Sequence, residues 1–165
     1  MSEKAMINFN TLIRIQGAED TGKTSSISRA FLQILEKKPL VNYFKYYEKG
    51  DFLAIVEFEN KYVAFCSSGD DLGIVKRFEL LNQYALEKSI IFDIFVVAHR
   101  TKGQTCKIIK KCLEQNTQAQ VKEFKSLTKG EFWEENEKFL YKEMEQCIEQ
   151  TSKKLYECIC ELLKI

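Results

Sequence analysis

Residues 11–27, TLIRIQGAEDTGKTSSI, predict a short β-strand, a tight loop framed by glycines and the first turn of a helix. The loop has the spacing G-x-x-x-x-G-K-[ST], and its fixed positions are Gly17, Gly22, Lys23 and Thr24. Glycine permits the dihedral angles that turn backbone N–H groups towards an anion, and the N-terminus of the following helix attracts negative charge. The stretch therefore predicts a phosphate-binding loop.

This spacing is the Walker A motif, and it gives roles to individual side chains. We expect Lys23 to reach the β- and γ-phosphates, Thr24 to hold Mg²⁺, and Ser25 to help close the loop around the α-phosphate. A chance strand, turn and helix that contains Gly-Lys-Thr is the alternative. The predicted nucleotide-binding segment comprises Gly17, Ala18, Glu19, Asp20, Thr21, Gly22, Lys23, Thr24 and Ser25.

Composition narrows the class of protein. The chain has 165 residues, 45% of them hydrophobic and 30% charged, which predicts a single domain over residues 1–165 with a substantial core. Its 25 basic and 24 acidic side chains create no overall field that favours nucleic acid or an anionic membrane. We expect a cytoplasmic protein, because neither a membrane span nor a signal peptide is evident. The six cysteines lack CxxC spacing, which favours reduced thiols over a zinc site.

Segments with the apolar pattern of a strand alternate along the chain with segments that have the pattern of a helix. This order predicts a three-layer α/β fold with a mostly parallel sheet. Apolar runs at 52–58 and 62–66 predict an antiparallel edge hairpin. The aromatic segment 40–50 is interpreted as a connection that packs its rings on the domain, and a base-stacking surface is the alternative. Arg14 is unusual in a central parallel strand, so it needs a partner or a place near a sheet end.

A pair of carboxylates follows the second run of this hairpin, in the sequence Ser-Ser-Gly-Asp-Asp at 67–71. We expect Asp70 to contact Mg²⁺, directly or through water, from a strand beside the phosphate-loop strand, with Asp71 in reserve. An ordinary turn is the alternative, because serine, glycine and aspartate all favour turns. The predicted metal ligands are thus Thr24 and Asp70.

The most apolar run, residues 90–98, predicts a strand that is buried on both faces and lies next to the phosphate-loop strand. It leads to His99 and Arg100 at the carboxyl end of the sheet, where ligands of open α/β folds bind. We expect Arg100 to contact the terminal phosphate, and a solvated loop is the alternative. His99 is interpreted as structural rather than as a general base. The predicted catalytic residues are Lys23, Asp70 and Arg100.

The last third of the chain predicts a short strand at 120–125 and a long helix that extends almost to residue 165. Thr128 and Glu131 have the spacing of a capping box at its start. Such a helix would be about 50 Å long at 1.5 Å per residue. We therefore expect a bend near Thr151 with packing on the sheet, while pairing with a partner or a second copy is the alternative.

Three segments, taken in order, resemble a group of small bacterial ATP-binding proteins of the P-loop NTPase superfamily. They are the loop at 17–24, Ser-Gly-Asp at 68–70, and AHRTKGQT at 98–105, which fits A-x-R-T-x-G-x-T. The resemblance covers residues 12–113. It implies binding of ATP with Mg²⁺ and leaves the substrate open, because this fold hosts kinases, hydrolases and switches.

ATP is favoured over GTP. Residues 70–73, DDLG, fit the D-x-x-G pattern of Ras-like proteins, but residues 99–105 offer no aspartate to read guanine. Three functions stay open: ATP hydrolysis, which we favour, transfer of the γ-phosphate to a small molecule or nucleotide, and non-catalytic regulatory binding. For hydrolysis, Gln104 or Glu19 is available to orient a water molecule.

Overall fold

The computed structural model describes residues 6–17, 22–68, 73–126 and 141–165, and only the backbone of Tyr141. Ten helices and strands lie in this part of the chain, together with one turn of 3-10 helix at Glu48–Gly50. Their bounds are β1 Phe9–Gln16, α1 Lys23–Leu35, β2 Leu40–Tyr46, β3 Phe52–Phe58, β4 Lys61–Cys66, α2 Ile74–Lys88, β5 Phe92–His99, α3 Gln104–Gln115, β6 Gln120–Lys125 and α4 Tyr141–Leu163. None of the described helices has both the length and the apolar composition to cross a membrane.

The strands form one mixed sheet in the order β2-β3-β4-β5-β1-β6. The pairs β1-β5, β1-β6 and β4-β5 are parallel, whereas β2-β3 and β3-β4 are antiparallel. The α/β class, the parallel majority and the antiparallel pairing of β3 with β4 are thus confirmed, but β2 rather than this hairpin forms the edge of the sheet. Glu59 and Asn60 both take positive φ in the hairpin turn, as a two-residue turn requires.

Two expectations about the sheet are wrong. The segment 40–50 is largely a strand, β2, because its β-branched and aromatic residues suit the pleat and an edge strand needs only one neighbour. Strand β4 does not lie beside β1, since β5 occupies the place between them. The carboxyl ends of β4 and β1 are therefore separated by two strand spacings, or about 10 Å.

Helices cover both faces of the sheet. Residues of α2 and α3, including Phe78 and Ile108, share a core with Leu12 and Phe95 on one face. Residues of α1 and α4 share the second core with the opposite face. The predicted strand that leads to His99 is buried between these two cores and pairs with β1, as expected.

The C-terminal helix packs along α1 and is continuous at Thr151, where the sequence predicts a bend. Its 23 described residues span about 35 Å, which fits the domain without a bend. Leu155 and Ile159 are fully buried in the core that includes α1. Packing of this helix within the domain is therefore confirmed, while the predicted capping box at Thr128 and Glu131 lies outside the described residues.

Candidate nucleotide-binding site

The candidate loop begins where β1 and β5 end side by side. Gln16 is in register with His99, and the N–H of Gly17 donates to the His99 carbonyl at 3.4 Å. The parallel strands thus place the start of the loop at the carboxyl edge of the sheet, where ligands of open α/β folds bind. Residues 18–21 of the loop, Ala18, Glu19, Asp20 and Thr21, lie outside the described residues.

Gly22 ends the loop in the left-handed conformation, with φ of 85°, and α1 begins at the next residue. The N–H of Ser26 donates to the Gly22 carbonyl at 2.9 Å, which closes the first helical turn. A Cβ atom added to Gly22 would lie only 2.6 Å from Cγ1 of Ile148 on α4. Glycine is therefore required here both by the backbone and by the close approach of α4.

Lys23 is buried, with 6% of its surface exposed, although it carries an ammonium group. Its Nζ donates to the carbonyl oxygen of Gly17 at 2.9 Å, so the side chain extends from the start of the helix to the start of the loop. Burial of a cation is unfavourable unless polar groups or an opposite charge stabilise it. The arrangement places a positive charge beside Gly17, at the start of the loop.

Thr24 faces in a different direction from Lys23. Its Oγ1 lies 3.1 Å from Oδ1 of Asp51 and 3.0 Å from the carbonyl oxygen of Ser67. Helix α1 packs over β5, so its first turn reaches the end of β4 even though β4 is not the neighbour of β1. The residue after β4, Ser67, therefore reaches the Thr24 hydroxyl, whereas the predicted contact of Asp70 with Mg²⁺ lies outside the described residues and stays a prediction.

Asp51 is the residue of this site that the sequence analysis misses. It precedes β3, and the register of the hairpin aligns Leu53 with Cys66. In an antiparallel pair, the residue before the first strand lies beside the residue after the second strand. The predicted hairpin could therefore have indicated Asp51 as a site residue, since it brings Asp51 close to the polar residues that follow β4.

A cation lies on the other side of Asp51. Nη1 of Arg77, on α2, is 3.8 Å from Oδ2 of Asp51. The same guanidinium lies over the ring of Tyr47, 4.0 Å from its centroid. Both charged side chains are largely buried, with 15% of Arg77 and 20% of Asp51 exposed. The carboxylate near Thr24 thus has a positive neighbour in a partly desolvated setting, where charge interactions are stronger than in water.

His99 is fully buried at the end of β5. Its Nδ1 lies 2.6 Å from the carbonyl oxygen of Arg100, and its Nε2 is buried with no hydrogen-bond partner in the described part of the chain. Burial lowers the pKa of His99; the contact with the Arg100 carbonyl opposes this, and Arg14 and Lys23 lower the pKa further. The imidazole is therefore neutral near pH 7, with Nδ1 as the donor.

Arg14, which lies in a central strand, forms an ion pair with an acidic residue of the neighbouring strand. Its guanidinium pairs with Glu123 on β6, and Nε2 of Gln16 donates to the same carboxylate at 3.2 Å. The Arg14 guanidinium holds the pKa of Glu123 below its usual range, first through the hydrogen bond and then through charge. This ion pair supports β6 against β1 near the loop.

The structure brings Gly17, Gly22, Lys23 and Thr24 together, and Ser25 lies exposed on the first turn of α1. Arg100 follows β5 directly, at the same edge of the sheet as the loop. Asp70 and Asp71 lie outside the described residues, so their roles stay predictions. In the described ranges, no group of three or more His, Cys, Asp or Glu side chains is placed to hold a metal. Comparison with family models, curated proteins and solved structures finds no significant match for this chain.

Proposed function

We propose that this chain is a P-loop protein that binds ATP with Mg²⁺ at residues 17–25 and hydrolyses it. The observation that carries the proposal is the buried Lys23, whose ammonium group contacts the carbonyl of Gly17, the first glycine of the loop. A strand, a loop ending in a left-handed glycine and a helix that begins at this lysine form the setting in which the Walker A motif binds phosphate.

The residues around Thr24 fit a divalent cation. The carboxylate of Asp51 and the carbonyl of Ser67 both lie within hydrogen-bond distance of the Thr24 hydroxyl, so three oxygen-bearing groups are close together. Mg²⁺ binds oxygen ligands, and in nucleotide sites it takes one or two carboxylates together with phosphate oxygens. When bound, Mg²⁺ would neutralise charge on the phosphates. Thr24 is the side chain that holds it in this proposal, and Asp70 stays a predicted further ligand.

Lys23 and Arg100 supply the positive charge in the proposed reaction. Hydrolysis of a phosphoanhydride spreads negative charge over the terminal phosphoryl oxygens, and cations fixed near them stabilise this charge. The Gly17 carbonyl holds the Lys23 ammonium group in a defined position, which limits the reorganisation that the reaction requires. ATP is proposed over GTP because residues 99–105 contain no carboxylate to read guanine.

Isothermal titration calorimetry with ATP and Mg²⁺ tests the binding step. The variant Lys23→Met keeps the length of the side chain and removes its charge. We expect it to lower the affinity by at least about 30-fold, since loss of a buried charge partner costs about 2 kcal/mol or more. Lys88→Met is the matched control, because Lys88 is exposed at the far end of α2. Equal affinity of Lys23→Met and the wild type would contradict the proposal.

Phosphate release then separates the possible reactions. We expect the wild type to release phosphate from ATP without any added acceptor, and Lys23→Met to lose this activity. A requirement for a metabolite would identify a kinase instead. Tight binding of ATP with no turnover under either condition would identify a regulatory binding protein.

A further inference from the structure

Asp51 is held in place by its own turn before any ligand arrives. The N–H of Tyr47 donates to the Asp51 carbonyl at 2.8 Å, and the N–H of Asp51 donates to the Glu48 carbonyl at 3.4 Å. Lys49 and Gly50 between them take φ values of 62° and 82°, so the turn is tightly folded. The carboxylate therefore has a defined position towards Thr24, as a preorganised site requires.

The third oxygen group is equally fixed. The N–H of Phe52 donates to Oγ of Ser67 at 2.8 Å, and the N–H of Ser67 donates to the Phe52 carbonyl at 3.1 Å. These bonds extend the hairpin by one residue beyond β4 and orient the Ser67 carbonyl towards Thr24. Since a hydroxyl has a single proton, Thr24 donates to only one of its two acceptors at a time. The site thus has more oxygen acceptors than donors.

Arg77 balances the charge of Asp51 without a direct hydrogen bond. The separation of 3.8 Å between Nη1 and Oδ2 exceeds the range of a hydrogen bond. Nη1 is buried, and it has no hydrogen-bond partner among the residues that the structure describes. The guanidinium also lies over the ring of Tyr47, 4.0 Å from its centroid, which is a favourable cation–π contact. The Oδ2 atom of Asp51 consequently faces a cation that does not bind it closely.

We propose that Asp51 supplies a carboxylate oxygen, directly or through water, to the divalent cation that accompanies the nucleotide, and that Arg77 competes with this cation for Asp51. The inference rests on the nucleotide binding proposed above and assigns a residue to it that lies on an antiparallel strand, far from the loop in sequence. A compact divalent ion attracts a carboxylate more strongly than a delocalised guanidinium does. Binding of the cation therefore draws Asp51 away from Arg77.

Calorimetric titration of ATP, with Mg²⁺ and in EDTA, tests the role of Asp51. The variant Asp51→Asn removes the charge but keeps an oxygen that accepts the Thr24 hydroxyl. Glu48→Gln is the matched control, because it makes the same change of charge at an exposed position three residues away. We expect Asp51→Asn to lower the gain in affinity that Mg²⁺ provides by about tenfold or more. Glu48→Gln is expected to keep that gain, and affinity in EDTA is expected to be preserved in both variants.

Titration of the ATP-bound protein with Mn²⁺, followed by electron paramagnetic resonance, measures cation binding independently of turnover. Arg77→Met keeps an apolar stem on Tyr47 and leaves Asp51 intact, so it tests the same carboxylate even if Asp51→Asn does not fold. We expect this variant to bind Mn²⁺ about threefold more tightly, because the competing charge is gone. Weaker or unchanged binding of Mn²⁺ by Arg77→Met would overturn the competition.

The two proposals fail in different ways. If the wild type binds ATP in EDTA and Asp51→Asn keeps the full gain from Mg²⁺, the role of Asp51 is overturned and nucleotide binding stands. Equal loss of affinity in EDTA and in Mg²⁺ would make Asp51 a support for the helix start and would also overturn its role. A wild type that binds no ATP under either condition overturns both proposals.

Discussion

The first turn of α1 contacts two halves of the sheet, and the two contacts differ in the charged group that they involve: an ammonium group in one and a carboxylate in the other. The parallel half, β5-β1-β6, holds the start of the loop and receives the ammonium group of Lys23 at Gly17. The antiparallel half, β2-β3-β4, presents the oxygen atoms of Asp51 and Ser67 to Thr24. Adjacent residues of one helix thus place a positive charge beside the parallel half and a hydroxyl beside the carboxylate of the antiparallel half. Such a division suits an anion that is bound together with a divalent cation.

Gly22 lies where both halves meet α4, and its replacement has the largest expected effect. Alanine at φ of 85° is strained, and its Cβ would lie 2.6 Å from Cγ1 and 2.9 Å from Cδ1 of Ile148. Strain and overpacking together should lower the free energy of unfolding by about 3 kcal/mol. Urea denaturation of Gly22→Ala against the wild type measures this loss.

Gly73 provides the control for this substitution. It also precedes a helix with positive φ, at 72°, but no atom of the described residues lies within 4 Å of a Cβ built there. Gly73→Ala should therefore cost only the backbone strain, about 1 kcal/mol. If Gly22→Ala and Gly73→Ala lose the same stability, the close packing of α4 on the loop is contradicted.

The parallel half could be predicted from the sequence because its signals are local. The loop spacing fixes the turn from β1 to α1, and the apolar run at 90–98 predicts β5 and its place beside β1. The strand β6 was predicted with its observed bounds, Gln120–Lys125. The existence and bounds of each of these elements follow from residues within one segment, while the place of β5 beside β1 follows from its burial on both faces.

The antiparallel half depends on contacts between distant segments, and there the sequence was less informative. Strand β2 lies at the edge of the sheet, so its exposed aromatic residues lack the alternation that marks a half-buried strand. Asp51 meets Thr24 across 27 residues, although nothing near either residue in the sequence links them. The parallel half holds a contact of the same kind, since Glu123, the partner of Arg14, is 109 residues away. Asp51 looks like an ordinary turn residue until the hairpin register brings it to the site.

Arg100 offers a test of the parallel half with an intermediate effect. It follows β5 beside the start of the loop, which is the place expected for a residue that contacts the terminal phosphate. If it does so, Arg100→Ala should weaken ATP binding about tenfold, which is the usual size of one charge-assisted contact. Binding of ADP should change little, because ADP lacks that phosphate.

Lys107→Ala serves as the comparison for Arg100→Ala, since Lys107 is an exposed cation on the first turns of α3. Its affinities for ATP and ADP should match those of the wild type. Equal losses for ATP and ADP in Arg100→Ala would place Arg100 elsewhere on the nucleotide. Unchanged affinity for both would leave Arg100 a solvated residue, and Lys23 would then be the one cationic side chain proposed to contact the phosphates.

The smallest expected effect concerns His99, which joins β5 to the loop through its carbonyl. The pKa of the buried imidazole is below its ordinary value of 6.5. As the pH falls, His99 is therefore protonated in the unfolded chain before it is protonated in the folded chain. The stability that neutral His99 provides is therefore fully present above the unfolded pKa. It decreases as the pH falls below about 6.5 towards the lower folded pKa. Arg14 and Lys23 oppose protonation, while Glu123 favours it.

His99→Asn isolates this contribution, because its amide can still donate to the Arg100 carbonyl but does not titrate. Between about pH 7.5 and pH 5.5, urea denaturation should show the wild type losing about 1 kcal/mol more than the variant. The carboxylates titrate in both proteins and cancel in the difference. An identical loss in the two proteins would mean that His99 is protonated in the fold without cost. The positive charge of the parallel half would then extend to His99 only below about pH 6.5, and the contrast with the antiparallel half would become sharper at acidic pH alone.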